Sequence, residues 1–193
     1  MKGAATRPAV FVDRDGTLME EVHYCNDPAN VRIIPGAGAA LRELRSAGYV
    51  TVLVTNQSGI GRGIITRAQY ESVHLRLIEL LGENTIDRAY MCADPSGQAS
   101  THRKPAPGML LEAAADLSLD LGSSWIIGDK ALDIECGINA GVPGVLVKTG
   151  YGHSVGECGA KFVAQDIVDA AQWILQNPCC SLDSVSKTGL RPR

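Results

Sequence analysis

The run Ala9-Val10-Phe11-Val12-Asp13-Arg14-Asp15-Gly16-Thr17 joins four apolar residues to two aspartates and a glycine. Continuous apolar runs of this kind are typical of central strands covered on both faces. Residues two apart in an extended chain point to the same side, so Asp13 and Asp15 can converge on one site. Two close carboxylates repel each other unless one is protonated or a cation such as Mg²⁺ lies between them. Because Asp and Gly are also common in turns, the run alone predicts either a cation site or a surface turn.

Further short apolar runs follow, and longer amphipathic stretches separate them. The strand candidates cover residues 9–12, 49–54, 88–91, 124–127, 144–147 and, more weakly, 162–164. The helix candidates cover residues 36–47, 66–81, 107–117, 130–140 and 167–175, and Thr66 is the expected N-cap of the second. This alternation predicts an α/β fold with an open, doubly wound parallel sheet. We expect one domain over residues 1–176 and a loose C-terminal tail over residues 177–193.

The composition is typical of a soluble globular protein, because 45% of the 193 residues are hydrophobic and 20% are charged. A formal net charge of -3 provides no basic field for nucleic acid, and no apolar stretch is long enough to span a bilayer. We therefore expect a cytoplasmic protein without nucleic-acid or membrane partners. The six cysteines are scattered, without a Cys-x-x-Cys pair, and in a reducing cytoplasm they are expected to be free thiols.

Three more polar clusters fall near the ends of predicted strands. Thr55-Asn56-Gln57-Ser58-Gly59 follows the second strand candidate, and Arg103-Lys104-Pro105 directly precedes a helix candidate. Gly128-Asp129-Lys130 follows the fourth strand candidate, and Asp133 lies close behind it. Taken singly, these clusters are typical of polar or solvated basic loops. Open α/β sheets bind ligands outside the carboxyl ends of their strands, so together the clusters predict a phosphate site at that edge.

The order Asp-x-Asp-Gly-Thr, strand-end Thr, Lys-Pro and Gly-Asp-x-x-x-Asp resembles the haloacid-dehalogenase superfamily of phosphatases. The resemblance extends over about residues 9–150. The longer runs Thr-Asn-Gln-Ser-Gly-Ile-Gly-Arg-Gly and Arg-Lys-Pro-x-Pro-Gly-Met are similar to its branch of heptose-bisphosphate and histidinol-phosphate phosphatases. This resemblance implies a Rossmann-like fold with only a minimal cap.

The resemblance also implies a division of roles. Asp13 would be the nucleophile that forms an aspartyl-phosphate, and Asp15 would be the general acid and base. Mg²⁺ would be bound by Asp13, the backbone carbonyl of Asp15 and Asp129. Thr55 and Lys104 would hold the phosphoryl oxygens.

Lys130 would add positive charge near Asp129. Asp133 would lie behind the metal site, where it orients Lys130 or a metal-bound water.

Substrate contacts are expected from the two segments that cover the site, residues 20–30 and 93–102. The positions that match the substrate-contacting residues of the family are Glu21, Val22, His23, Tyr24, Thr55, Asn56, Gln57, Ser58, Arg103, Lys104 and Lys130. His23 and Tyr24 could equally be packing residues of the first covering segment. With no large cap, the site suits a compact phosphorylated sugar bound by a monomer.

The implied reaction is removal of the 7-phosphate from a D-glycero-D-manno-heptose 1,7-bisphosphate. Histidinol phosphate and other small sugar phosphates are alternative substrates that fit the same motifs. A related phosphatase acts on the 3′-phosphates of DNA ends, but the acidic charge balance argues against a strand-binding groove. A catalytically inactive binding module is also disfavoured, because Asp13, Asp15, Thr55, Lys104 and Asp129 are all present.

One loop departs from the family. Many relatives bind a structural zinc before Arg-Lys-Pro through Cys-x-His and Cys-x-Cys, where this chain has Cys92-Ala93-Asp94 and Ser100-Thr101-His102. Only the first cysteine is kept, so the four-ligand Cys/His set is missing. Cys92, Asp94 and His102 remain as three possible ligands, but we do not expect structural Zn²⁺ in this chain.

Overall fold

A computed structural model describes residues 6–179, and six of its segments form one parallel sheet. The strands are β1 (Arg7–Val12), β2 (Val50–Asn56), β3 (Arg88–Cys92), β4 (Leu119–Gly128), β5 (Gly144–Val147) and β6 (Phe162–Ala164). Their order across the sheet is β3-β2-β1-β4-β5-β6, and every neighbouring pair runs parallel. The strand carrying the first aspartates therefore lies at the centre, between β2 and β4.

Five helices lie between consecutive strands, and a sixth follows β6. They are α1 (Ala37–Ser46), α2 (Ser58–Gly61), α3 (Arg67–Leu81), α4 (Gly108–Leu117), α5 (Ala131–Ala140) and α6 (Ile167–Gln176). The predicted N-cap of α3 is confirmed: the Thr66 side chain accepts a hydrogen bond from the Gln69 backbone N–H, and the Gln69 side chain accepts one from the Thr66 N–H. Two 3₁₀ turns, Pro28–Asn30 and Gly152–Ser154, lie in loops.

Alternate residues of β1 enter two different cores. Val10 and Val12 pack in the core that contains the apolar faces of α1, α3 and α6. Ala9 and Phe11 pack in the opposite core, with residues of α4 and α5. All four side chains are fully buried. Because both faces of the sheet are covered, the prediction of a doubly wound α/β sheet is confirmed.

The first half of β4 was not predicted. The strand begins at Leu119, five residues before the apolar run, and its pairing with β1 shifts register between Pro8 and Val10. Within this irregularity, the Ser124 hydroxyl accepts a hydrogen bond from Ala9 N–H and donates one to the Asp120 carbonyl. Gly122 and the serines beside it are typical of a loop, so the sequence pattern does not predict a strand here. The strand depends on these side-chain hydrogen bonds.

Two other differences are small. All five predicted helices match their ranges to within one residue at each end, but α2 was missed because it has four residues, two of them glycine. The predicted loose tail falls outside the described residues from Cys180 onward. Cys25, Cys92, Cys136 and Cys158 carry free thiols. In the described part of the chain, no helix has both the length and the apolar character needed to cross a membrane.

Candidate active site

A pocket of about 320 Å³ opens at the carboxyl ends of β1 and β2. Its walls include each residue predicted as catalytic or substrate-binding: Asp13, Asp15, Glu21, Val22, His23, Tyr24, Thr55, Asn56, Gln57, Ser58, Arg103, Lys104 and Lys130. Asp129 lies behind this wall, fully buried. The fold thus brings together residues that are spread over more than a hundred positions of the sequence.

Lys104 is a buried cation at the bottom of the site. Its Nζ lies 2.7 Å from Asp13 Oδ1, 2.9 Å from the Val54 carbonyl oxygen and 2.6 Å from Asp133 Oδ1. Its ammonium donates hydrogen bonds to Asp13 and to the Val54 carbonyl, and Asp133 lies against it as an ion-pair partner. Burial opposes the charge on Lys104, but Asp13 and Asp133 more than offset it, and the pKa of Lys104 is raised. Lys104 is therefore charged and fixed against the Asp13 carboxylate.

Asn56 fixes the backbone of Lys104. Its side-chain Nδ2 donates to the Lys104 carbonyl, and its Oδ1 accepts from the Lys104 N–H, both at 3.0 Å. Asn56 ends β2, so this reciprocal pair attaches the Arg-Lys-Pro loop to the sheet. Asn56 was predicted as a substrate contact; it lines the pocket, and its carboxamide also positions the lysine.

Asp15 is held by two donors that flank it. Arg14 donates from Nε to Asp15 Oδ2 at 3.0 Å and from Nη2 to Asp15 Oδ1 at 2.9 Å. Gln57 Nε2 donates to Asp15 Oδ2 at 2.8 Å and to Thr55 Oγ1 at 2.9 Å. Because Thr55 Oγ1 accepts from Gln57, its own hydroxyl proton is available to a phosphoryl oxygen.

Asp129 lacks a counter-charge at contact distance. Its Oδ2 accepts from the Tyr151 N–H at 2.8 Å, whereas its Oδ1 is buried and has no hydrogen-bond donor among residues 6–179. The nearest ammonium, Lys130 Nζ, lies 3.9 Å from that oxygen. Burial, followed by the nearby Asp13 charge, raises the pKa of Asp129 to about 7. Such a carboxylate favours a bound cation.

The donor set fits Mg²⁺. Asp13, Asp129 and Asp133 have ligand atoms that all lie within 4.8 Å of one another. Within the described ranges, no other group of three or more His, Cys, Asp or Glu residues meets this condition. Carboxylate oxygens are the ligands that Mg²⁺ prefers. Because Asp133 Oδ1 contacts Lys104 and Asp133 Oδ2 accepts from the Lys130 N–H, Asp13 and Asp129 are the carboxylates best placed for a cation.

Glycine is required beside the Asp129 carboxylate. Gly16 has a φ of +83°, in the left-handed region, and a Cβ at this position would collide with Asp129 Oδ2. Gly150 approaches the same carboxylate from the loop after β5, and its Cβ would collide with the same oxygen. The close approach of both backbones is what encloses Asp129.

The segment over residues 20–30 is attached at two points. Glu21 Oε2 lies 3.0 Å from Lys130 Nζ, and the Tyr24 hydroxyl accepts a hydrogen bond of 2.8 Å from Arg62 Nη1. The ring of His23 packs edge-on against Tyr24, with 4.2 Å between centroids. His23 and Tyr24 thus line the pocket and also pack within the segment, so both interpretations of the pair stand.

Sequence reasoning missed five residues of the pocket wall: Arg14, Cys25, Gly59, Leu132 and Tyr151. Arg14 lies inside the first motif, and its partners could not be read from the pattern. Tyr151 follows β5, at the same edge of the sheet as the other clusters, and that position is a signal that could have found it.

The loop that contains Cys92, Asp94 and His102 is held by side-chain hydrogen bonds. Ser100 Oγ accepts from the Arg103 N–H at 2.9 Å and lies 3.7 Å from Cys92 Sγ. The His102 ring nitrogens lie beside Thr101 Oγ1 and Glu112 Oε2. In the part of the chain that the structure describes, no third metal-binding side chain therefore joins Cys92 and Asp94 at ligand spacing.

Comparisons with known proteins agree with this geometry. The HAD-hydrolase-like family model matches residues 101–170. The D-glycero-D-manno-heptose-1,7-bisphosphate 7-phosphatase of Thermosynechococcus vestitus is 40% identical, with 87% of this chain and 95% of that protein covered. The D-glycero-beta-D-manno-heptose-1,7-bisphosphate 7-phosphatase of Escherichia coli K12 is 36% identical, with 98% of each chain covered.

A solved structure shows the same fold. The D,D-heptose 1,7-bisphosphate phosphatase from B. bronchiseptica, complexed with magnesium and phosphate, superposes with a TM-score of 0.79. It is 29% identical in sequence, and the match covers 88% of this chain and 98% of that one. On this similarity in sequence and fold, the chain belongs to the haloacid-dehalogenase superfamily of phosphatases, in the heptose-bisphosphate phosphatase family.

Proposed function

We propose that this phosphatase removes the 7-phosphate from a D-glycero-D-manno-heptose 1,7-bisphosphate, with Mg²⁺ as cofactor. The observation that carries the proposal is the similarity, over nearly the full chain, to relatives named for that reaction. The pocket supports it chemically, since its floor joins a carboxylate nucleophile to cations suited to a phosphoryl group.

Asp13 is the proposed nucleophile. Lys104 Nζ holds its Oδ1, which leaves Oδ2 to attack phosphorus. A bond forms between Asp13 Oδ2 and phosphorus while the bond from phosphorus to the sugar oxygen breaks. Asp15 gives a proton to that departing oxygen, which leaves as an alcohol.

The second step removes the phosphoryl group from Asp13. Asp15, now a carboxylate, accepts a proton from water, and the water oxygen forms a bond to phosphorus. The bond between phosphorus and Asp13 then breaks, which releases phosphate and restores the carboxylate. The Thr55 hydroxyl and Lys104 stabilise the negative charge on the phosphoryl oxygens. For Lys104 this means exchanging one of its present partners, Asp13, Val54 or Asp133, for a phosphoryl oxygen.

Asp13, the backbone carbonyl of Asp15 and Asp129 would hold the metal ion. When bound, Mg²⁺ would screen the repulsion between the Asp13 carboxylate and the phosphate dianion. The unpaired Oδ1 of Asp129 and the clustering of three buried carboxylates within 4.8 Å of one another support this assignment.

The deciding experiment is steady-state kinetics with Mg²⁺ on both anomers of synthetic heptose 1,7-bisphosphate, beside histidinol phosphate. We expect the highest kcat/KM on one heptose anomer and release of one phosphate per molecule. Asp13→Asn serves as the matched control and should be inactive on every substrate.

Higher kcat/KM on histidinol phosphate would replace the proposed substrate and keep the reaction. Comparable low rates on all three compounds would point to another phosphate ester. Turnover by Asp13→Asn at the wild-type rate would contradict the covalent mechanism itself.

A further inference from the structure

Behind Asp15 lies a buried stack of side chains that the reaction scheme does not use. The Arg14 guanidinium lies over the ring of Tyr70, 5.3 Å from its centroid, and Tyr70 stacks on His74 with 5.8 Å between centroids. Tyr70 and His74 belong to α3, on one side of the sheet. A chain of contacts thus runs from the helix to the carboxylate of Asp15.

The burial of Arg14 at this position opposes folding. It is 1% exposed, and its Nη1 is buried without a hydrogen-bond partner among the described residues. Burying a guanidinium is costly even when it is paired, and an apolar side chain of similar volume would fill the space at lower cost. Stability alone therefore does not account for the arginine.

The orientation of the guanidinium explains why position 14 is an arginine. The bidentate geometry of Arg14 on Asp15 fixes the plane of the carboxylate as well as its position. The face of the Tyr70 ring supports the guanidinium from the other side. Burial, and then the charge of Arg14, lowers the pKa of His74, so a neutral ring at pH 7 adds no repulsion to the stack.

We propose that Arg14, supported by Tyr70, is the positioning residue that aims the Asp15 carboxylate at the oxygen of the departing alcohol. This rests on the proposed role of Asp15 as general acid. Proton transfer requires the donor and acceptor to be within hydrogen-bond reach. A misplaced Asp15 carboxylate therefore reduces catalysis even when the protein is folded.

Leaving groups of different basicity separate positioning from stability. A sugar alkoxide needs a proton as it departs, whereas p-nitrophenolate leaves without one. The kcat/KM for each ester reports the steps up to formation of the aspartyl-phosphate. A variant that misplaces Asp15 should therefore lose activity on the sugar ester and keep most of its activity on p-nitrophenyl phosphate.

The test compares Arg14→Lys, Tyr70→Leu, Tyr70→Phe and Asp15→Asn with wild type, in the presence of Mg²⁺. Lysine keeps the charge and loses the planar fork. We expect Arg14→Lys to lose about 10- to 100-fold in kcat/KM on the heptose bisphosphate, with a far smaller loss on p-nitrophenyl phosphate. Tyr70→Leu should show the same selectivity more weakly, and Tyr70→Phe, which keeps the ring face, should resemble wild type. Arg76→Lys, at a partly exposed position on the same helix, is the matched control.

Equal losses on both esters in Arg14→Lys and Tyr70→Leu would overturn the inference, because a merely structural role lowers both. If Arg14→Lys fails to fold, Tyr70→Leu alone tests the inference, by the ratio of its kcat/KM losses on the two esters. Asp15→Asn separates the two proposals. Selective loss in Asp15→Asn without selective loss in the Arg14 and Tyr70 variants rejects only the positioning role. Absence of selectivity in Asp15→Asn rejects the general-acid assignment on which that role rests.

Discussion

Lys104 Nζ lies 2.7 Å from Asp13 Oδ1, although the two residues are 91 positions apart in the chain. The same ammonium contacts the carbonyl of Val54 on β2 and the carboxylate of Asp133 on α5. One buried charge therefore joins β1, β2 and α5 at the bottom of the pocket. The lysine that we propose to bind phosphate is therefore also part of the structural core of the site.

Replacement of Lys104 by methionine should damage both stability and catalysis. The change leaves the buried Asp13 and Asp133 carboxylates unpaired, and breaking a buried pair in this way costs about 3–5 kcal/mol. We expect a lower unfolding midpoint in urea and a kcat reduced by at least ~100-fold. Lys161→Met, at an exposed position, is the control and should change neither quantity. Wild-type kcat in Lys104→Met would refute the role of this lysine.

Mg²⁺ should stabilise the folded protein through Asp129. A ligand that binds only the folded state, present at 100 times its dissociation constant, adds about 2.7 kcal/mol to the free energy of unfolding. We therefore expect a rise in melting temperature with Mg²⁺ for wild type and little or no rise for Asp129→Asn. Asp116→Asn is the control and should keep the rise, because Asp116 does not line the pocket and its carboxylate accepts a hydrogen bond from the Tyr90 hydroxyl. An unchanged Mg²⁺ response in Asp129→Asn would exclude Asp129 as a ligand.

Much of the site could be predicted because its residues are polar and follow buried strands. Asp13, Thr55 and Asp129 each end or directly follow an apolar run, and the parallel topology places such positions at one edge. Contacts between clusters could not be predicted, because spacing along the chain does not fix side-chain orientation. The bonds from Asn56 to the Lys104 backbone and from Arg14 to Asp15 are of this kind.

Asp87 should make stability depend on pH in the acid range. Burial opposes its ionisation, but the bonds from Arg45 and from Thr51 outweigh burial and hold the pKa of Asp87 below its ordinary value of 3.8. Its contribution is thus present above pH 3.8 and is lost as the pH falls through the lower, folded-state pKa. We expect Asp87→Asn to lose about 1 kcal/mol of unfolding free energy at pH 7.

Urea denaturation of wild type and Asp87→Asn between pH 7 and pH 3 checks this prediction. The difference between the two proteins should shrink as the pH falls below 3.8. A difference that stays constant over this range would show that Asp87 does not act through its charge.

The pairing of Tyr24 with Arg62 should affect substrate binding more than the chemical step. Tyr24 lies on the segment that covers the pocket, and its hydroxyl bond to Arg62 joins that segment to the loop after α2. Loss of one such bond costs about 0.5–1.5 kcal/mol, so Tyr24→Phe should raise KM about two- to tenfold with kcat nearly unchanged. Arg62→Ala should raise KM by a similar factor, and the KM of the double variant should lie close to that of either single variant. Additive effects would mean that the two residues act independently.

The fold was more predictable than its irregularities. The range of β5, Gly144–Val147, matches the predicted run, because a continuous β-rich run has few alternatives, and the weaker candidate at Phe162–Ala164 is also a strand. The first half of β4 depends on Ser124 and Asp120, whose hydrogen bonds are tertiary contacts. The local sequence pattern carries no information on such contacts, so it does not predict the first half of β4.

The central claim is that Asp13 carries the phosphoryl group between the two steps. It is tested most directly by rapid acid quench of Asp15→Asn with p-nitrophenyl phosphate and Mg²⁺, followed by peptide mass spectrometry. This substrate needs no proton for the first step, whereas the second step lacks its base, so the intermediate should accumulate. We predict one phosphoryl group on the peptide that contains Asp13, and none in the Asp13→Asn, Asp15→Asn double variant. Release of p-nitrophenol over many turnovers with no phosphoryl group on that peptide would contradict the account.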